Sequence, residues 1–517
     1  MWLFCLSTAA VLFMVTMFLM LLVMAAGGSA TTEDCVDCAG VGFDGRSGSG
    51  GSAYPPVTYA RVTSKSSTTP PKENLTTTSY AANKTATHTG SDASAASFTK
   101  DSSDVTESAN SSTEVPGPEN GAQKPLPPGS LLCTLSSGFK EDTYVFPPDG
   151  LCTIVTFNSL ITADGGSLDP PYDDDFTYFL ETSKAHSTTE YGIGIDYMVA
   201  RNSTAIDALA AANDTKTQLE ALWDQRIYHY GQVNTPFRFT GKDVGLFAED
   251  SAAGLMMFSN IMQSKKIEAK RPSYTILHFP VFTEQWTQQI ATRLSGYSID
   301  VFVAIGHHAE PDYMYTHCHM VPPTILSEGL LKRALLRSEY PVRLEKTLED
   351  LSSRASLWPS TTSFAVTLGI EGRWYMPNLT DTIIGAPGNY SLGLPCSKKV
   401  PPSGQLGGIS KVCSDATLNG TFYFDKKFKA LVTYDKAERW LFTYDSASAL
   451  QAKLCEAKLN ALSFKFALAA VNIEFEDGNN KCGHGAFSRL HRLKKLAPFL
   501  ANNYTTTAME SACKSLS

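Results

Sequence analysis

From Leu131 onward, short apolar runs rich in β-branched and aromatic residues alternate with longer runs of helical period, and this alternation limits the fold more than any other feature. Strands are expected at 131–135, 151–157, 191–198, 243–247, 274–279, 299–305, 364–370 and 466–473. The helical runs "TAIDALAAANDTKTQLEALW", "AAGLMMFSNIMQSKK", "TEQWTQQIATRL", "VRLEKTLEDLSSR" and "ASALQAKLCEAKL" fall between most of them. Eight strands separated in this way are the number that a closed parallel barrel needs.

The chain before this region has another character. From Trp2 to Ala26 it carries no charge, and about 25 helical residues can cross a hydrocarbon core of ~30 Å. No Lys or Arg precedes the run, and "GGSA" before Thr31 resembles a small-residue cleavage site. Residues 1–28 are therefore either an uncleaved type II membrane anchor or a cleaved signal peptide, and both place the remainder outside the cytosol. Residues 29–128 are rich in Ser, Thr, Ala, Gly and Pro, with too few large apolar side chains to offset the entropy of ordering. They are expected to be an O-glycosylated stalk or a plain disordered spacer. The barrel is expected over 129–505 and a tail over 506–517.

The net charge is -8, with Lys and Arg intermingled with Asp and Glu, so no basic stripe offers itself to nucleic acid. Eleven cysteines and the sequons at Asn74, Asn83, Asn110, Asn202, Asn213, Asn378, Asn389, Asn419 and Asn503 point to an oxidising, secretory environment. The body of the chain holds Cys133, Cys152, Cys318, Cys396, Cys413, Cys455, Cys482 and Cys513, an even set suited to bridges whose pairing the sequence leaves open. It contains no paired CxxC units, and no cofactor is expected.

Several stretches resemble chitinases and chitinase-like proteins of glycosyl hydrolase family 18. They are "LLCTL" with "FPPDGLCTIVTFNSL", "IDVFVAIGHH", and "VTLGIEGRWYMPN" with Gly369, Gly372 and Arg373; the most specific are "YDKAERWLFTYDSASALQAKLCEAK" and "ALAAVNIEFEDGNNKCGHGAFSRL". The resemblance implies a (β/α)8 TIM barrel, a Cys133–Cys152 bridge between neighbouring strands, and a small α+β insertion at about 376–444 after strand seven. It also implies an activity to test. Active relatives project acids, spaced by two, from strand four; the last Glu donates a proton, and the preceding Asp orients the substrate's N-acetyl group, which is the nucleophile.

With strand four placed in "GKDVGLFAEDS", neither Glu249 nor Asp250 in the donor's place is preceded by the required inward Asp. The two acids also fit the start of the helix "SAAGLMMF". The Met-x-Tyr-Asp pattern of active relatives is replaced by "AIGHH", and their last-strand Trp by Val471. The chain thus resembles a degenerate member of arthropod type, expected to bind chitin-type or other oligosaccharide, or an extracellular protein, without hydrolysis. Two other functions stay open: a glycosidase using Glu249 or Asp250, and a purely structural glycosylated module.

Three further groups are candidates. Glu474, Glu476 and Asp477 crowd the end of the last strand, where the resemblance gives acids a rim or structural role. Trp374 and Tyr375 could stack on a sugar ring or pack between barrel and insertion. The stretch "HHAEPDYMYTHCH" gathers His307, His308, Glu310, Asp312, His317, Cys318 and His319, which can be read as metal ligands or as a polar rim.

Overall fold

In a computed structural model, the structure describes residues 124–516 apart from 137, 140–143, 163–165, 236–243, 309–314, 332–336, 338, 379–390 and 402–403. The leader, the expected stalk up to residue 123 and the sequons at Asn74, Asn83, Asn110 and Asn389 lie outside the described residues, whereas Leu126, near the expected end of the stalk, is buried in the core.

Eight parallel strands close into a barrel: β1 (Leu131–Leu135), β2 (Ile154–Ile161), β3 (Glu190–Ile195), β4 (Ile227–Gln232), β5 (Thr275–Phe279), β6 (Val301–Ala304), β7 (Ser363–Gly369) and β14 (Ala467–Val471). The ring runs β1-β14-β7-β6-β5-β4-β3-β2 and closes through β1 and β2. A second, antiparallel sheet interrupts the barrel between β7 and β14. It contains β8 (Gly372–Pro377), β9 (Cys396–Ser397), β10 (Leu406–Gly407), β11 (Tyr423–Asp425), β12 (Ala430–Asp435) and β13 (Trp440–Tyr444). The insertion therefore begins at Gly372, a few residues earlier than expected.

Helices fill the outside. They are α1 (Asp174–Ala185), α2 (Tyr197–Ala200), α3 (Ser203–Ala211), α4 (Thr215–Asp224), α5 (Val244–Ile261), α6 (Gln263–Ala269), α7 (Glu284–Leu294) and α8 (Leu344–Arg354). After β7 come α9 (Ile409–Ser414) and α10 (Ala416–Asn419) in the insertion, then α11 (Ala447–Ala457), α12 (Ser488–Asn502) and α13 (Met509–Lys514).

Strand alternation divides the core in two. Leu132, Ile154, Ile276, Val301, Val303, Ala365, Ala467 and Ala469 pack inside the barrel. Their strand neighbours, such as Cys133, Val155, Leu277, Phe302, Val366 and Leu468, pack against the helices. Adjacent residues of one strand face opposite sides, so both layers can be filled at once.

One expectation is corrected. Residues 243–247 are not a strand: Asp243 lies outside the described residues, and Val244–Ile261 is α5. Its buried positions Val244, Ala248, Ser251, Ala252, Leu255 and Phe258 recur every three or four residues, and that period continues well beyond the window read as a strand. The fourth strand is instead "IYHYGQ", buried throughout. Residues 506–517 carry α13, which is tied to α11 by Cys455–Cys513, and the Gln451 amide donates to Cys513 O (2.6 Å) and Leu516 O (2.8 Å).

Cys133–Cys152 forms as expected, and Cys318–Cys396, Cys413–Cys482 and Cys455–Cys513 complete four bridges. Gly372 has a steric reason: a Cβ there would fall 1.9 Å from the Phe442 ring of β13.

Candidate functional site at the carboxyl end of the barrel

In (β/α)8 barrels, side chains at the carboxyl ends of the strands form the site of chemistry. Here the ends of β1, β7 and β14 are joined by a polar network. Asn472, left-handed at φ 61°, receives the Thr134 hydroxyl oxygen as acceptor for its N–H (3.3 Å), and its side-chain amide donates to Glu371 Oε2 (3.3 Å). Asn tolerates that backbone region better than most residues. Glu474 accepts the Ser136 N–H (3.3 Å) and the Ser136 hydroxyl.

Glu371 is 1% exposed, and its Oε1 has no hydrogen-bond partner. Burial raises its pKa, against the lowering influence of its own N–H, Arg373, Asn472 and Arg489. Burial likewise pushes Glu474 up to about 7; the Ser136 hydrogen bonds oppose the shift and the neighbouring Glu371 adds to it. Glu474 can therefore hold or release a proton near neutrality, the property needed in general acid–base chemistry.

The fourth strand offers nothing comparable. Tyr230 packs against Phe258 of α5 outside the barrel (ring centroids 5.8 Å apart), so His229 and Gly231 face inward, and Val233 continues that face. His229 lies 3.1 Å from Glu190 Oε2, accepts the Tyr274 N–H at Nδ1 (3.0 Å) and stacks on the Tyr274 ring. No acid occurs from Ile227 to Lys242.

Glu249 and Asp250 lie on α5, outside the barrel wall. Glu249 pairs with Arg293 of α7 (3.2 Å) and accepts the Tyr297 hydroxyl (3.3 Å). Val471 ends β14 beside Gly369, on the inward face set by Ala467 and Ala469.

The three clustered acids separate. Glu476 forms an ion pair with Arg489 (Oε2 2.7 Å from Nε) and accepts the Arg489 backbone N–H at Oε1 (3.4 Å); the guanidinium donates to Ile370 O (2.5 Å) and Phe475 O (3.1 Å), so the pair locks α12 onto the ends of β7 and β14. Asp477 accepts the Ser410 hydroxyl (2.6 Å) and the N–H groups of Lys481 (2.9 Å) and Cys482 (2.8 Å), which shapes the loop before α12. Only Glu474 joins the strand-end network.

Trp374 and Tyr375 lie on opposite faces of β8. Tyr375 is buried, and its hydroxyl donates to Val321 O (2.8 Å) while accepting from Arg373 Nε (3.2 Å). Trp374, half-buried, packs on Phe442 (ring centroids 4.7 Å apart) within the cluster formed by Ile409, Val412 and Leu418. Both rings have packing roles inside the insertion.

The histidines also disperse. His307 Nδ1 lies 2.7 Å from Thr367 Oγ1; burial pushes its pKa down to about 3, with His308, His278 and Arg373 adding to the shift. His308 pairs with the Tyr315 hydroxyl (2.9 Å), His317 with Glu339 (2.9 Å), and His319 donates to His317 O (3.2 Å). Cys318 is in a bridge, and Glu310 and Asp312 lie outside the described residues. Among the described residues, no group of three His, Cys, Asp or Glu side chains converges as metal ligands.

Asn202, Asn213, Asn378, Asn419 and Asn503 are all exposed. Sequence reasoning missed β4 and Glu371. The interval between the helix ending at Trp223 and the strand expected at Asp243 was the available signal, because a structureless stretch of about 20 residues is uncommon inside a compact barrel.

No protein-family model and no curated protein matches the sequence. Solved structures do match. An Ostrinia furnacalis group IV chitinase in complex with allosamidin superposes with a TM-score of 0.51 at 13% identity, over 72% of this chain and 99% of the other. YKL-39 in the presence of chitooligosaccharides gives 0.51 at 12% identity, over 71% and 98%. A further human YKL-39 structure, described as a pseudo-chitinase with retained chitooligosaccharide binding properties, gives 0.50 at 12% identity over the same shares. These likenesses establish the fold: the chain has a chitinase-like (β/α)8 barrel.

Proposed function

We propose that this chain is an extracellular chitinase-like protein that binds an oligosaccharide of the N-acetylglucosamine type without hydrolysing it. The observation that carries this reading is β4, whose inward face shows His229 and Gly231, continued by Val233, where chitinase-type hydrolysis requires carboxylates spaced by two. Without them, neither the leaving oxygen nor the N-acetyl nucleophile is assisted from that strand. The likeness to YKL-39, described as a pseudo-chitinase with retained chitooligosaccharide binding, supports binding without turnover. Four disulfides and five exposed sequon asparagines support a location outside the cytosol, either secreted or held by residues 1–28.

One observation favours a second reading, hydrolysis by an altered site. Glu474 has a pKa of about 7 beside Glu371 at the strand ends, which suits a proton donor. Incubation with fluorogenic chitobiose and chitotriose substrates, together with calorimetric titration by chitooligosaccharides, separates the two. Saturable binding without turnover is expected. Turnover that disappears in Glu474→Gln but survives in Glu249→Gln would establish the second reading, and absence of both binding and turnover would remove the carbohydrate assignment.

A further inference from the structure

The strand-end network links two carboxyls through two neutral side chains. Asn472 donates to Glu371 Oε2 (3.3 Å), its Oδ1 lies 3.5 Å from Ser136 Oγ, and Ser136 donates to Glu474 through both its N–H and its hydroxyl. These residues follow β1, β7 and β14, so the linkage exists only because the barrel closes. The two acids differ in access. Glu371 is buried, whereas Glu474 is partly exposed at the carboxyl end of the barrel.

Acids at a strand end are ordinarily structural, but one oxygen here has no structural use. Gly369 ends β7 on the inward face, and a Cβ there would fall 2.6 Å from Glu371 Oε1. The glycine thus leaves room for a carboxyl oxygen that points into the end of the barrel and has no hydrogen-bond partner among the described residues. Nor does any cation among them form an ion pair with either acid: Arg489 pairs with Glu476, and Arg373 donates to the Tyr375 hydroxyl and to His308 O. Both guanidiniums still favour ionised Glu371 from a distance. Tyr144, from the segment after β1, completes the surroundings; its hydroxyl is also buried without a partner, and its pKa is raised by burial and by the charge of Glu474. Two carboxyls placed in this way titrate as a pair, because ionising one opposes ionising the other. Burial holds the proton of Glu474 to about 7, opposed by Ser136 and assisted by Glu371.

We infer that Glu474 grips the acetamido carbonyl of a bound N-acetyl sugar by donating its carboxyl O–H, and that Glu371, held opposite by Asn472 and Ser136, is the positioning residue that keeps the proton there. A carbonyl oxygen accepts but cannot donate, so it tells the protonated carboxyl from the ionised one; a sugar hydroxyl suits either. The inference rests on the sugar binding proposed above and gives that binding a pH dependence.

The test is calorimetric titration of the full chain with chitotriose between pH 5 and pH 8.5. Affinity should fall about tenfold from pH 6 to pH 8, and heats measured in buffers of different ionisation enthalpy should show proton uptake on binding near pH 7.5. Any affinity for cellotriose, which has no acetamido group, should lack this fall. Glu474→Gln, whose amide still donates, should bind chitotriose without the pH dependence. Glu371→Gln should move the midpoint of the profile down by about half a pH unit or more. Ser136→Ala removes a hydrogen bond to the ionised carboxyl and should move the midpoint up, so it serves if Glu371→Gln folds poorly. A purely structural role would not shift the midpoint in opposite directions. Chitotriose affinity that stays flat with pH, an equal fall for cellotriose, or a midpoint that both variants leave in place overturns the inference while sugar binding stands. Absence of chitotriose binding at every pH overturns the binding itself and the inference with it.

Discussion

The Lys453 ammonium on α11 lies 2.6 Å from Asp445 Oδ1, and both side chains are fully buried. The "TYDS" at the end of β13 and the lysine of the following helix, two parts of the most specific resemblance in the sequence, thus meet as one structural unit. Asp445 also accepts the Thr324 N–H (3.0 Å), and Lys453 donates to Thr324 O (2.6 Å), so the pair clamps the return from the insertion onto the segment after β6. Lys453→Met leaves a buried carboxylate uncompensated and is expected to cost about 3–5 kcal/mol in chemical denaturation. Asp445→Asn/Lys453→Met should recover much of that loss, and a double variant no more stable than Lys453→Met would contradict the clamp.

Glu474 should give the fold a pH dependence of unusual sign for a carboxylate. Its folded pKa of about 7 lies above the ordinary 4.5, so between those values the folded chain holds a proton that the unfolded chain has released. Its contribution is present in full below pH 4.5 and is lost as pH rises through 7. The drop should be about 1–3 kcal/mol and should vanish in Glu474→Gln. Denaturation curves at pH 5 and pH 8 test this, and parallel behaviour of the two proteins would refute it.

Glu249→Gln is expected to be nearly silent. Its partners Arg293 and Tyr297 lie on the outer helical layer, and Arg293 is substantially exposed. Partly exposed ion pairs contribute at most about 1 kcal/mol. Oligosaccharide binding measured by calorimetry should be unchanged.

Trp374→Ala should lower stability and leave sugar affinity intact. Removal of the indole uncovers Phe442 and opens a void beside Gly407, where the ring fills the place a Cβ would take. The cost expected for a half-buried ring is about 2–4 kcal/mol. Titration with chitooligosaccharide well below the melting temperature separates the two effects; lost affinity in a folded variant would return Trp374 to the binding surface.

Seven of the eight barrel strands were legible because each is a compact β-rich run. Strand β4 was obscured by its composition: "IYHYGQ" places His and Gln among its tyrosines, and it follows α4 after only Gln225 and Arg226. "DVGLF" has the composition of a short strand, yet its described residues already belong to the helical period of α5. The site was less legible than the fold. In "VTLGIEGRWYMPN" the glycines and the arginine carry the resemblance, yet Glu371 between them is the buried acid beneath Asn472.

The order and type of the elements followed from local pattern, because strand and helix periods are written within a few consecutive residues. The partner of each acid did not, because it depends on neighbours brought close only by barrel closure. Glu474 and Glu476 are two residues apart, yet one meets Ser136 just after the first strand and the other meets Arg489 from α12. Burial then raises the first, and the guanidinium binds the second, through distances that only the folded chain sets.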